Sequence, residues 1–564
     1  MVKTMDLFFK IPRVVLPVIL VALCAILLAQ KIDLTTADLG RHIKNGEILI
    51  HPHLASRPLQ GEEGEKTSWK VRWQLLHTNF YSYTEPTQAF TNHHWLSGLV
   101  FYLIYQLAGF KGLSVLYIFL VLTAFFLFFR LAQKQSTTSV SVILAILVLP
   151  IIASRSEVRP EAFTYILFAV FFWVLWHWRQ GLLSFKWLFF LPILMLFWVN
   201  LHIGFIFGFL ALGLFLLEEL IKDLKLKLNN KAYRVLYYKS RLLFIIFLLC
   251  LVAGLFNPFF IKGLLYPLNI FRNYGYLVVE NQSVVFLQRL GLGNGLFFGL
   301  FKFLLVLTAI SFIALAIKQR NVKIFPFAEF IFTAAVGVLA FLAIRNFPIF
   351  GFIFLFVVSG NIATVLPKTK HPAYGFLPAI LAFVVLFFGL FRFWSDYTDK
   401  KAGFGLGLIP NVNASAEFVK TQNISGPIFN DYDIGGYLIY HLYDYKEGHP
   451  LGEDDPLVGW RVFVDNRPEA YSTEFLQGEY VRMQDDEIFW KAQDEKYNFN
   501  MIIFSHRDYT PWAQKFLIAR VQDPAWAPVF VDSYNIIFVK KSLENVELIR
   551  KYLIPKERFG IINQ

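Results

Sequence analysis

Asp38 and His42 stand four residues apart, a spacing that sets a carboxylate and an imidazole on one face of a helix. A carboxylate so placed can act as a general base or take part in holding a divalent cation. The plainer alternative is a solvated helix end. Asn92, His93 and His94 come next, ahead of Trp95. Adjacent histidines point apart in any regular element, so this pair alone does not make a two-histidine metal site. Further along stand Arg155, Arg159 and Glu161, then Asn200 and His202, then Glu280, then Arg345 beside Asn346. Arginine forks match phosphate oxygens in charge and geometry. Arginines that reach out of a membrane toward water, and Asn200 and His202 serving only the backbone of a tight turn, are the competing readings. Near the C-terminus Asp431 and Asp433 lead into Gly435-Gly436, and Asp465 and Arg467 follow the apolar run Val462–Val464. The glycine spacing is not that of a phosphate-binding loop. Asp465 at a strand end suits a ligand contact or a salt bridge equally well.

The elements that must position these residues are apolar to an unusual degree. Of 564 residues, 56% are hydrophobic and only 16% are charged, against about a quarter charged in soluble proteins. The 63 phenylalanines suit packing in lipid. A net charge of +13 would raise nucleic acid as a partner in a soluble chain. Here basic cytoplasmic loops account for it, and no nucleic acid is expected. Cys24 and Cys250 both fall in apolar runs and form no disulfide framework.

Runs of about 20 apolar residues mark spanning helices. They lie near 13–30, 97–130, 139–154, 160–178, 186–199, 203–221, 242–257, 296–317, 325–343, 347–366 and 374–394, about eleven in all. The first follows Lys3, Lys10 and Arg13 without a clean cleavage site, so it reads as a retained signal-anchor. With the N-terminus in the cytoplasm, every inner loop is short and basic, as with Arg130 and Lys134, or Lys318, Arg320 and Lys323. The expected domains are therefore a membrane domain over 1–394 and a soluble α/β domain over 395–564 on the outer face. Outer loops 31–94 and 257–295 carry site residues. Strand-like runs at Arg461–Val464, Met501–Phe504, Val529–Val531 and Ile536–Val539, with a helix at Ala414–Thr421, compose the soluble part.

This topology places the candidate residues of the membrane domain, from Asp38 to Arg345 and Asn346, all at one face. Ionisable groups at bilayer depth cost about 2.5–3.5 kcal/mol each on insertion scales, and they usually face a cavity. Their convergence says more than any one of them. It also weighs against a transporter, whose polar groups concentrate at the midplane.

Asp38-Leu39-Gly40-Arg41-His42, Lys44-Asn45-Gly46-Glu47, Tyr81-Ser82-Tyr83-Thr84 and Asn92-His93-His94-Trp95-Leu96-Ser97 resemble the first outer loop of a bacterial family of GT-C-type membrane glycosyltransferases. Arg159-Pro160-Glu161, Asn200-Leu201-His202-Ile203-Gly204, Asn257-Pro258 and Arg345-Asn346 look like its later motifs, and Asp431–Tyr437 and Val464–Arg467 like its soluble tail. In plan it is similar to the protein mannosyltransferases and the lipid A aminoarabinose transferases. The resemblance implies a polytopic protein of a bacterial inner membrane with its C-terminal domain in the periplasm. It implies transfer of a sugar or glycan from a polyprenyl-phosphate donor to a lipid, glycan or protein acceptor. It implies that Asp38 is the catalytic base or a metal-associated residue, with His42 alongside and any metal on that pair. It leaves the cofactor unknown, a divalent metal included. Related chains often carry Glu where His94 stands, which removes a second carboxylate and leaves Glu161 or Glu280 to substitute. The rival reading is a lipid-linked oligosaccharide transporter or a non-catalytic scaffold of a glycan-assembly complex.

Overall fold

The computed structural model describes residues 2–55, 64–228, 233–269, 274–319, 325–366, 384, 403–443 and 460–560. The chain forms two compact units. One comprises Met1–Lys31, Ser114–Ile270 and Val278–Leu406, and the other Ile32–Leu113, Phe271–Leu277 and Gly407–Gln564. The first long outer loop thus belongs to the same unit as the C-terminal segment.

The first unit is a helix bundle. Among the described residues five helices are long and apolar enough to cross a membrane: Trp95–Gln135, Glu161–Arg179, Ile203–Leu224, Gly295–Gln319 and Ile344–Val365. Val15–Leu28, Thr138–Ile152, Phe185–Leu201 and Phe327–Leu342 are shorter apolar helices, and Tyr233–Leu255 covers the expected seventh span. Apart from Val384, the expected span near 374–394 lies outside the described residues. Trp95–Gln135 is not one continuous helix. Gly109 breaks it at φ 59° and ψ −159°, a conformation open to glycine at little steric cost.

Phenylalanine fills the bundle. Rings of Phe128 and Phe352 stack at 5.3 Å and those of Phe168 and Phe332 at 5.6 Å. The outer surface is apolar too. On Gly295–Gln319 the residues Phe303, Val306, Ile310, Ile313 and Ile317 form an exposed stripe with helical spacing. A regular apolar stripe facing away from the core identifies lipid as its solvent. This is a membrane protein.

The second unit is mixed α/β. Its sheet has the strands β1 (Ile428–Asn430), β2 (Met501–Ser505), β3 (Trp526–Val531) and β4 (Asn535–Lys540), in the order β1-β2-β4-β3. β1 and β2 are parallel, and the other pairs antiparallel. Every residue of β1 and β2 is buried, which is why they read as continuous apolar runs rather than alternating ones. An aromatic core under the sheet gathers Phe429, Phe463, Trp490, Phe504, Phe516 and Trp526. The helix Ala414–Thr421 forms as expected.

Arg461–Val464 departs from expectation. It is not a strand of the sheet. A single bridge joins Val462 to Ser82, and the Ser82 and Thr84 hydroxyls donate to the Phe463 carbonyl. Its apolar character reflects burial against the first outer loop. β1, three residues long, was too short to show a period.

Gly435 opens the helix Gly435–Leu442 where the chain passes the 464–465 backbone. A Cβ there would fall onto Asp465 Cα and within 2.7 Å of the Val464 carbonyl oxygen. Overpacking of this kind costs about 1–3 kcal/mol. Gly435→Ala should therefore lower the thermal midpoint of the purified protein by several degrees. Gly299→Ala, at a helical position with nothing within 4 Å of the added carbon, should leave the midpoint level or slightly higher.

Candidate active site

Each unit carries polar groups built from the expected residues. In the first, helix ends supply the charges. Arg155 and Arg159 lie on the short turn before Glu161–Arg179, Glu161 opens that helix, and Arg345 sits in a one-turn helix before Phe347–Val365. Arg155 meets Glu161 at 3.1 Å and Glu280 at 2.7 Å. Arg159 meets Glu157 at 2.7 Å and Glu280 at 2.9 Å. Arg345 meets Glu161 at 3.1 Å, and donates to Asn281 at 2.8 Å. Three arginines therefore face three glutamates, and the formal charges cancel. Burial works against the charge on Arg155, but Glu161, Glu280 and Glu157 outweigh it and hold the guanidinium well above its ordinary range. Burial likewise opposes ionisation of Glu280, and Arg155, Arg159 and Arg345 overcome it, holding the carboxyl well below the usual range.

Asn200 and His202 serve their own turn. The Asn200 amide donates to the Leu196 and Phe256 carbonyls, both at 2.8 Å. His202 Nδ1 accepts from the Gly204 amide at 3.1 Å and lies 2.8 Å from the Thr164 hydroxyl, which in turn accepts from Trp198 Nε1. A ring nitrogen that accepts from an amide carries no proton, so the Thr164 hydroxyl donates to it.

In the second unit Asp38 is the N-cap of the helix Leu39–Ile50, yet its side chain makes no capping bond. Its Oδ1 instead accepts from Asn466 Nδ2, and its Oδ2 lies 4.0 Å from Arg41. His42, one turn on, is buried, with its ring edge-on to His94 at 5.6 Å and to Phe101 at 6.1 Å. His93 and His94 rings approach to 3.9 Å, so the three histidines form a continuous set despite the sequence spacing. Asn92 Nδ2 donates to the Leu75 carbonyl at 3.4 Å, which ties the start of this segment to the helix before it.

Asp465 and Arg467 form a buried pair. Arg467 Nε donates to Asp465 Oδ1 at 2.7 Å, and Arg467 Nη2 donates to Asn79 at 2.8 Å. The guanidinium also covers the Phe90 ring at 4.7 Å. Burial disfavours charge on Arg467, and Asp465 more than restores it. Asp431 lies elsewhere, at the end of β1. It accepts from the Asp433 and Ser505 amides and belongs with Asp433 and Asp508. Burial, reinforced by Asp508 and Asp433, pushes its carboxyl well above the usual range.

Among the described residues no three His, Cys, Asp or Glu side chains come close enough to hold a metal ion. Asp38 beside an amide and a guanidinium does not fit a divalent cation.

The chain has solved structural counterparts. The archaeal oligosaccharyltransferase AglB from Archaeoglobus fulgidus, solved with an inhibitory peptide and a dolichol-phosphate, matches 96% of this chain and 75% of its own at TM-score 0.52 and 12% identity. The fold is GT-C. ArnT from Cupriavidus metallidurans, bound to undecaprenyl phosphate, matches at TM-score 0.43 and 12% identity over 94% of this chain and 98% of its own. The arabinofuranosyltransferase AftD from Mycobacteria matches at 0.44 and 11% over 93% and 40%. Those two scores are too low to add to the argument. No protein-family model and no curated protein sequence matches the chain.

Within this GT-C chain three residues were not singled out by sequence. Asp508 sits in a polar turn that reads as ordinary loop, and only folding brings it to Asp431. Glu469 is raised by burial and held back by Arg41 and Arg467, an environment with no signature in its neighbours. The Tyr432 hydroxyl is buried and meets no hydrogen-bond partner among the described residues.

Asp431 and Asp508 yield a pH test. Both carboxyls sit above their unfolded values, so the folded state loses stability as pH rises through the raised range. Asp508→Asn keeps the turn acceptor for Thr510 and removes one charge. It should raise the thermal midpoint near neutral pH by about 2–4 °C, the equivalent of about 1 kcal/mol. The gain should shrink as pH falls through the raised range of Asp508, because its protonated form carries no charge to remove.

Proposed function

We propose that this protein transfers a sugar or glycan from a polyprenyl-phosphate-type donor to an acceptor hydroxyl or amine at the outer face of a bacterial inner membrane. The single observation that carries the reading is the state of Asp38. It is a carboxylate at a helix N-terminus that makes no capping bond to its own helix and accepts from the Asn466 amide. The GT-C fold supports it, and so does the dolichol-phosphate held by the archaeal neighbour.

In this mechanism Asp38 takes the proton from the acceptor as its oxygen or nitrogen attacks the anomeric carbon. The bond from that carbon to the phosphate oxygen breaks, with inversion, and the lipid phosphate leaves with the electron pair. Arg155, Arg159 and Arg345 stabilise the departing charge, as preorganised cations do most effectively where charge develops. Because the arginine cluster is neutral in the resting protein, an arriving phosphate takes over guanidinium donors now shared with Glu280. His42, His93 and His94 line the Asp38 side. Residues 407–560 bind the acceptor from the outer side, where the Tyr432 hydroxyl, Glu469 and Asp433 offer polar contacts.

The test is turnover of the purified full chain with a panel of polyprenyl-phosphate and polyprenyl-pyrophosphate sugars, following release of the lipid phosphate. Release should disappear in Asp38→Asn. Arg159→Gln should raise the donor KM about 10- to 100-fold, as expected for losing a charge-assisted hydrogen bond. Normal transfer by a well-folded Asp38→Asn protein would remove Asp38 as the base.

A further inference from the structure

The helix Gly64–His77 of the first outer loop presents different chemistry on different sides. Val71 and Leu75, one turn apart, are buried in the second unit. Beside them Arg72 Nε donates to the Leu49 carbonyl at 3.0 Å. The Leu75 and Leu76 carbonyls accept from the Asn92 side chain at 3.4 Å and its amide at 3.0 Å. These contacts tie the helix to Leu39–Ile50 and to the segment before Trp95. The outward side is not simply polar. Trp69 and Trp73, also one turn apart, are 68% and 55% exposed. The next row along the helix holds Lys70, which is exposed, and His77, whose ring stacks on Trp73 at 4.8 Å. One helix thus has a row for the protein core, a row of indoles and a row with a charge. Two exposed indoles on a helix in water cost free energy. At the headgroup level of a bilayer they gain it, because the ring leaves water while its N–H keeps a polar partner.

The helix that starts at Trp95 shows what covers such a face. Before Gly109 it belongs to the same unit as Gly64–His77. Its inner side packs closely: a Cβ on Gly98 would lie 2.8 Å from the His42 carbonyl oxygen, and Phe101 and Tyr102 are buried. Its outer side exposes Leu103 and Leu107, one turn apart, Leu107 by 82%. Beyond Gly109 the same helix exposes Val115, Phe119 and Phe126, on a segment long and apolar enough to cross a membrane. The exposed apolar residues of this unit therefore lead along the chain into a surface whose solvent is lipid.

We propose that the helix Gly64–His77 is an interfacial anchor: Trp69 and Trp73 enter the boundary between headgroups and acyl chains of the bilayer that the chain spans. Leu103 and Leu107 enter the same boundary, and the Lys70 ammonium stays among the headgroups. The partner is the phospholipid leaflet itself. The proposal does not depend on the reaction proposed above.

Nitroxide labels on the full-length protein test this, in liposomes of phosphatidylethanolamine and phosphatidylglycerol. The labelled variants are Trp69→Cys, Trp73→Cys and Leu107→Cys, with Glu547→Cys as the reference in water. All four side chains are exposed, so the substitutions disturb little packing. Wild-type protein taken through the same labelling supplies the background from the buried Cys24 and Cys250. Collisions with dissolved oxygen report lipid, and collisions with a nickel chelate present on both sides of the membrane report water. Labels at positions 69, 73 and 107 should meet oxygen several-fold more often, and the chelate several-fold less often, than the label at 547. Chelate collisions equal to those at 547 would overturn the proposal, since the face would then lie in water. Protection from both reagents would overturn it as well. With dipolar broadening the cover would be a second copy, and without it another segment of this chain. A label on Lys70→Cys then tests the indoles directly. Its chelate collisions should rise several-fold when Trp69→Gln and Trp73→Gln are added. No rise would mean that the tryptophans do not hold the helix in the interface, and would overturn the anchor.

Discussion

The buried Asp465–Arg467 pair is the constraint around which the second unit is arranged. A guanidinium with almost no exposure keeps its charge only if a carboxylate and further acceptors surround it. Asp465 provides the carboxylate, Asn79 takes a remaining donor, and the Phe90 and Tyr81 rings cover the face. Three of these partners belong to the first outer loop and one to the C-terminal segment. Breaking the pair would leave an uncompensated charge in the interior, a defect that costs about 3–5 kcal/mol. The same contacts therefore join distant stretches of chain and set the backbone from which Asn466 reaches Asp38.

The first unit solves a similar problem in another way. Its arginines are partly buried and are matched glutamate for guanidinium, so that no net charge stands among apolar helices. Such a network is stable at rest and still able to change partners. A phosphate has the charge and the oxygen geometry to take over guanidinium donors that Glu280 now shares, whereas Asp465 and Arg467, satisfied on every side, have no comparable freedom. One cluster suits binding and the other suits architecture, although both consist of arginines and carboxylates.

Much of this was legible in sequence for a simple reason. Long apolar runs separated by basic loops have few physical solutions, so the helical membrane domain followed from hydropathy. The helix Ala414–Thr421 and three of the four strands followed from period and propensity. Misreadings fell where burial and hydrogen bonding diverge. Arg461–Val464 has strand composition because it is buried, but its strand pairing is a single bridge. β1 has no readable period because three residues cannot show one.

What the sequence determined by itself was the solvent of each segment and the inventory of groups able to do chemistry, because both are properties of composition and local spacing. It did not determine which groups meet. Asn466 against Asp38, Arg467 against Asn79, Glu280 among three arginines and Asp508 beside Asp431 are pairings across tens to hundreds of residues. No local pattern encodes such contacts, because each exists only once the backbone has closed and water has been excluded. The tertiary structure thus decided which carboxylates became structural and which were raised by their neighbours.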